Sequence, residues 1–223
     1  MNRVLTSLVA SSCLVSLSRA FTNIEDFTVG SFSQTIGFQR QFSFKQTGMD
    51  KSHSAFGERS GSGAIISNPD NALLHFDVGN HEQKLWTSSD RLSYNLFMTL
   101  GAMGNVEIDL SQETSIYFDL YTDPSNFSAD TWQLYINDSS GNYAFSQQWQ
   151  YRPGGIEFKR DSFSRSIDWA RVVSIQFTEN MSAAPNPLVY SVQHIYAVPE
   201  LPPSLFLLAT LGFVRRRNSA RAQ

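Results

Sequence analysis

Ser115-Ile116-Tyr117-Phe118-Asp119-Leu120-Tyr121 and, a short way on, Thr131-Trp132-Gln133-Leu134-Tyr135-Ile136-Asn137 alternate apolar and polar side chains with a period of two. In an extended chain successive side chains point to opposite faces, so Ile116, Phe118 and Leu120 share one face of the first strand. Trp132, Leu134 and Ile136 share one face of the second. Asp138-Ser139-Ser140-Gly141 then reads as a tight turn, with Asn142 to Tyr151 returning as hairpin partner. Outward from this pair, Arg171–Thr178 sets Val173, Ile175 and Phe177 on one side, and Val189–Tyr196 makes a last strand. Upstream candidates are Phe38–Phe44, Ala64–Ser67, Leu73–Val78, Arg91–Leu96 and Val106–Leu110. The polar stretch Lys45–Gly63, with Ser60-Gly61-Ser62-Gly63 at its end, reads as a long mobile loop. Between the two ends of the chain, no run of ten or more residues carries a helical period. Many short strands separated by Gly, Asn, Asp and Pro turns predict an all-β protein, an antiparallel jelly-roll-like β-sandwich.

The ends differ from the body. Residues 1–20 combine Arg3, an apolar stretch from Val4 to Leu17 and the small residues around Ser18-Arg19-Ala20, the pattern of a cleaved signal peptide. Cys13, in Ala10-Ser11-Ser12-Cys13, is the alternative as a lipidated cysteine. It is also the only cysteine, so a mature chain starting at Phe21 carries no disulfide and depends on its core. Residues 21–197 form one domain, long enough to bury roughly 70% of its unfolded surface.

At the other end, Val198-Pro199-Glu200-Leu201-Pro202-Pro203 leads into the apolar run Leu205–Val214 and then Arg215-Arg216-Arg217. In a helix such a run spans roughly half of a bilayer core of about 30 Å. The arginines favour the cytoplasmic side. This predicts a short C-terminal hydrophobic helix that holds the chain only weakly.

That order of spacer, apolar helix and arginine cluster resembles the PEP-CTERM sorting signal, in a form where Pro199-Glu200 is followed by Leu201 and proline comes at Pro202. The resemblance implies residues 198–223 as a sorting segment. Val198, Pro199, Glu200, Arg215, Arg216 and Arg217 would be its motif, and an exosortase-type membrane protease its partner. It also implies an exported protein of a Gram-negative-type bacterium, transiently anchored by its C-terminus and destined for the cell envelope or extracellular matrix.

Net charge, formally -3, hides an asymmetry. Six arginines lie in the two end segments. Setting them and Glu200 aside leaves 11 basic against 19 acidic residues, a body near -8. Such a surface repels phosphate backbones, which excludes nucleic acid as a partner class and favours neutral polymers or cations.

Ile24-Glu25-Asp26-Phe27, the passage Val106-Glu107-Ile108-Asp109-Leu110-Ser111 before Ser115–Phe118, and Asp168–Phe177 resemble carbohydrate-binding, galactose-binding-like jelly rolls. Closing strands of such modules often carry an Asp that helps hold a structural calcium. Here His194 stands near that place, so no cofactor is assigned and calcium stays open.

The polar strand faces supply a candidate glycan platform: Tyr117, Asp119 and Tyr121 on one strand, Gln133, Tyr135 and Asn137 on the next. Gln147, Trp149 and Tyr151 would extend it from the returning strand. Aromatic rings offer flat apolar faces to sugar C–H groups, while Asp, Asn and Gln satisfy hydroxyls. Tyrosines are equally good strand residues facing solvent. Polysaccharide is thus the expected partner of a non-catalytic protein.

The alternative is a jelly-roll glycosidase built on Glu107-Ile108-Asp109 and Glu113. A retaining mechanism needs carboxyl groups about 5 Å apart. On a straight strand, six residues would hold Glu107 and Glu113 near 20 Å apart. His53, His75, His81 and His194 lack metal-ligand spacing, His75 and Asp77 merely sharing a strand face. Neither a Gly-x-Ser-x-Gly elbow nor a phosphate loop occurs.

Overall fold

A computed structural model describes residues 21–37, 41–88, 92–102, 106–122, 131–149, 155–181 and 189–200. The side chains of Thr122, Thr131, Gln148, Trp149, Met181, Val189 and Tyr190 lie outside that description. So do residues 1–20, the apolar run 205–214, the arginine cluster and Tyr151.

The described strands are β1 Thr22–Glu25, β2 Phe32–Ile36, β3 Gln41–Thr47, β4 Glu58–Ser67, β5 Leu74–Gly79, β6 Glu82–Thr87 and β7 Ser93–Gly101. They continue with β8 Glu113–Thr122, β9 Thr131–Asp138, β10 Tyr143–Trp149, β11 Ile156–Lys159, β12 Val172–Met181 and β13 Val189–Pro199. A 3-10 turn, Arg160–Ser162, follows β11. Two antiparallel sheets result. One runs β11-β8-β13-β6-β5-β2, with β1 also on β13; the other runs β10-β9-β12-β7-β4-β3. Within this compact unit, Thr22–Val198, they form a jelly-roll-like sandwich.

Strand alternation builds the core. On β9 Trp132, Leu134 and Ile136 are buried, and on β8 Ile116, Phe118 and Leu120 face them from the other sheet. Phe118 meets Trp132, Phe158 and Phe177 edge-on, with ring centroids 6.1, 5.5 and 5.1 Å away. Burying one such side chain contributes about 1.5–3 kcal/mol. The β9–β10 turn is fixed by the Asp138 carboxylate. Its Oδ1 accepts from the Ser140 and Asn142 amides, and its Oδ2 from Asn142 Nδ2 and the Asp168 amide.

Several segments depart from the sequence expectation. Lys45–Gly63 is not one long loop: β3 extends to Thr47 and β4 begins at Glu58, so Ser60–Gly63 lies inside a strand. Gly61 and Gly63 leave room for phenylalanine rings of the neighbouring β3. A Cβ at Gly61 would stand 2.5 Å from Phe44 Cε1, and one at Gly63 2.4 Å from Phe42 Cε1. Those rings belong to a cluster with Phe32 and Phe76, Phe42 and Phe76 stacking at 4.9 Å. Val106–Leu110 is not a regular strand either; it keeps one bridge, Ile108 to Val172, and the Leu110 amide donates to Trp169 O. Strands β1, β2, β6 and β11 carry too little alternation to announce themselves. The β5–β6 hairpin turns on Asn80 and His81, both at positive φ (54° and 69°), the backbone of a tight two-residue connection.

Candidate functional site

The outer face of the six-stranded sheet is set by register. Tyr143, Asn137 and Ser174 align across β10, β9 and β12. In the next row Phe145, Tyr135, Gln176 and Thr99 align, and in the following one Gln147, Gln133, Thr178 and Phe97. Trp149 stands opposite Thr131 in the row after that. From β10 across to β7, these rows contain amides, hydroxyls and aromatic rings and no carboxylate, lysine or arginine.

Hydrogen bonds hold the polar groups in place. Tyr135 Oη donates to Gln133 Oε1 at 2.8 Å, and Gln133 Nε2 to Gln147 Oε1 at 3.3 Å. Asn137 Nδ2 donates to Ser174 Oγ at 3.0 Å. The Tyr135 and Phe145 rings lie 5.9 Å apart, tilted by 33°. Tyr143, Phe145 and Phe97 are unusually open for large apolar side chains, at 46%, 38% and 40% exposure. An uncharged field of fixed amides and hydroxyls beside open rings can take up a flat, polyhydroxylated, uncharged ligand. Desolvating these neutral groups costs far less than desolvating charges.

Not all sequence-predicted platform residues meet here. Gln133, Tyr135, Asn137 and Gln147 do, and the β10 register adds the backbone of Trp149. Tyr117, Asp119 and Tyr121 belong to β8, in the seven-stranded sheet, and lie on the opposite outer face of the sandwich. There Tyr117 stacks on Tyr196 with centroids 5.1 Å apart, and Asp119 Oδ2 stands 3.9 Å from His194 Nδ1. Burial first, then the Asp119 and Glu157 carboxylates, holds the Tyr117 phenol above its ordinary range. That face is mixed in charge and carries a second group: His75 stacked on Trp86 at 5.2 Å, between Thr35 Oγ1 and the Asp77 carboxylate. Sequence reasoning missed Ser174, Gln176, Thr178 and Phe97, which join the platform only through pairing across three strands. Tyr143 and Phe145 lay within the predicted return strand, where the alternation of Tyr143, Phe145 and Gln147 could have singled them out.

The glycosidase carboxylates are each engaged elsewhere. Glu107 pairs bidentately with Arg171 at 2.8 and 3.0 Å, which holds its carboxyl below the ordinary range. Asp109 accepts from the Ser111 amide, and Glu113 from Thr22 Oγ1. Among the described residues no group of three or more His, Cys, Asp or Glu is placed to hold a metal ion. Of the residues expected to form a sorting motif, Val198 and Pro199 end β13, with Thr114 Oγ1 donating to Val198 O at 3.1 Å, and Glu200 is exposed.

No protein-family model matches the chain, and no curated protein matches it. Among solved structures it is similar to the family 11 carbohydrate-binding module of the cellulosomal cellulase Lic26A-Cel5E of Clostridium thermocellum, at 12% identity, covering 82% of this chain and 96% of that one with a TM-score of 0.40. A solution structure of that kind of module, CtCBM11, gives a TM-score of 0.46 at 11% identity, over 83% and 98% of the two chains. An exo-β-agarase is similar at 13% identity over 83% of this chain and 25% of that one, with a TM-score of 0.40. The chemistry of this chain rests on its own residues.

Proposed function

We propose that this protein is an exported, non-catalytic β-sandwich that contacts polysaccharide through the outer face of its six-stranded sheet. The observation that carries this reading is the uncharged field of Gln133, Tyr135, Asn137 and Gln176, edged by the open rings of Tyr143, Phe145 and Phe97. An acidic body with a locally neutral, aromatic-edged face suits a neutral hydroxyl-rich polymer better than a polyanion. Replacing Tyr135 and Phe145 together by alanine removes two stacking surfaces. Retention of the protein in native gels containing a soluble polysaccharide should weaken about ten- to hundredfold. Unchanged retention sinks the reading.

In the same proposal, the C-terminal segment sorts the chain to the envelope or matrix through an exosortase-type protease. The place of Val198 and Pro199 within β13 supports a cut at or beyond Glu200 rather than upstream of it. The intact mass of the protein recovered from its host should therefore end close after Glu200. A mass that still contains Arg215–Gln223 makes the segment a plain tail instead.

A further inference from the structure

Beyond its uncharged rows, the aromatic edge of this face is met by one cation. The strand β10 is an edge strand, and the chain returns along its free side: the Ser164 amide donates to Phe145 O at 2.8 Å, and the Phe145 amide to Ser164 Oγ at 3.2 Å. This two-point attachment carries the next residue, Arg165, over the Tyr143 ring, its guanidinium carbon 5.1 Å from the centroid. Arg165 is exposed, and among the described residues no carboxylate lies within ion-pair distance of it. By contrast, Arg171 at the same end is neutralised by Glu107. A guanidinium resting on an aromatic ring keeps its N–H edges for a planar or tetrahedral anion. We propose that Arg165 takes the anionic substituent of a sugar, a carboxylate or a sulfate ester, while the sugar ring itself seats on Phe145 and Tyr135.

The inference rests on the glycan reading of the face and narrows it to an otherwise neutral glycan bearing sparse acidic sugars. A densely charged polyanion is disfavoured, because the body near -8 repels it wherever the separation is within a Debye length of about 8 Å. An exposed guanidinium beside the neutral rows matches one anionic group among neutral sugars, whereas Lys45, at the far β3 end of the Tyr135 row, already has Glu58 4.0 Å away.

Two polymer pairs test it with the full-length chain in native affinity gels. The first is gellan, with its glucuronate, against the same polymer after reduction of the carboxyl groups; the second is lightly sulfated dextran against unmodified dextran. Mobilities are normalised to polymer-free gels. The wild type should be retained about two- to fivefold more strongly in one charged form than in its neutral counterpart, the effect of an exposed ion pair. The pair that shows this distinguishes carboxylate from sulfate. Arg165→Gln should abolish the difference while keeping retention in the neutral form, and the Tyr135→Ala, Phe145→Ala double variant should lose both. Equal retention of the wild type in charged and neutral forms, or a preference that survives Arg165→Gln, overturns the inference and leaves the glycan reading standing. A wild type retained in none of the four gels overturns the glycan reading itself.

Discussion

Among the described residues, Arg59 is the one buried Lys or Arg. It is 1% exposed, and its guanidinium donates to Glu25 Oε1 at 2.9 Å, Gln46 Oε1 at 2.6 Å and the Val29 carbonyl at 2.6 Å. Burial raises the Glu25 carboxyl against the pull of Arg59. Arg59→Met would leave Glu25 buried without its counter-charge, a loss of about 3–5 kcal/mol in urea unfolding at pH 7. That loss should shrink at pH 5, because Glu25 without Arg59 takes up a proton more readily; a pH-independent loss contradicts the ion-pair account. A second residue-scale effect concerns His53, whose Nδ1 lies 2.8 Å from Asp26 Oδ2. The hydrogen bond to Asp26 raises His53. Its contribution is therefore complete below about pH 6.5, the unfolded value, and is lost as pH rises through the higher folded one. For Asp26, burial pulls upward, but hydrogen bonds from Thr28 and His53 outweigh it and the carboxyl is lowered. Its contribution holds above about 3.9 and is lost as pH falls through the lower folded value. Thermal melts between pH 5 and 9 should show Tm falling on the alkaline side in the wild type and not in His53→Gln; parallel profiles exclude the pair.

At the scale of the element, β4 shows what local pattern can and cannot announce. Strand β9 was legible because each inward residue is large and each outward one polar. In β4 the inward positions include Gly61 and Gly63, whose apolar partners sit on another strand as Phe44 and Phe42. The hydrophobic signal was thus displaced from the residues that needed it, and Lys45–Gly63 looked like a loop. Gly63→Ala should cost about 1–3 kcal/mol by driving a methyl into the Phe42 ring. Adding Phe42→Leu should recover part of it in urea unfolding, and a double variant as unstable as the two losses summed would refute this packing. The platform was half legible for a related reason. Alternation showed which residues of β8 and β9 face outward, yet consecutive strands of a sandwich can belong to different sheets, and the period of two is silent on which. Hence Tyr117, Asp119 and Tyr121 read as neighbours of Gln133, Tyr135 and Asn137 although a core separates them.

For the whole molecule, that separation turns into a sharp experiment. The unit Thr22–Val198 has two outer faces of different chemistry, one whose rows from β10 to β7 are uncharged and amide-rich, the other carrying Tyr117, Asp119, His194, His75 and Asp77. A ligand that binds only the folded state raises its stability by about 2.7 kcal/mol at a hundredfold excess over Kd. Soluble polysaccharide should therefore raise the Tm of the wild type. Tyr117→Ala with Tyr121→Ala alters only the seven-stranded face, and Tyr121 is already 67% exposed, so the ligand-induced shift should survive. Tyr135→Ala with Phe145→Ala alters only the six-stranded face and should remove the shift while leaving a cooperative unligated transition. The opposite outcome, a shift lost from the β8 variant and kept by the other, would move binding across the sandwich. Loss from both variants would mean that the ligand contacts both faces, which a single glycan strand lying on one sheet cannot do.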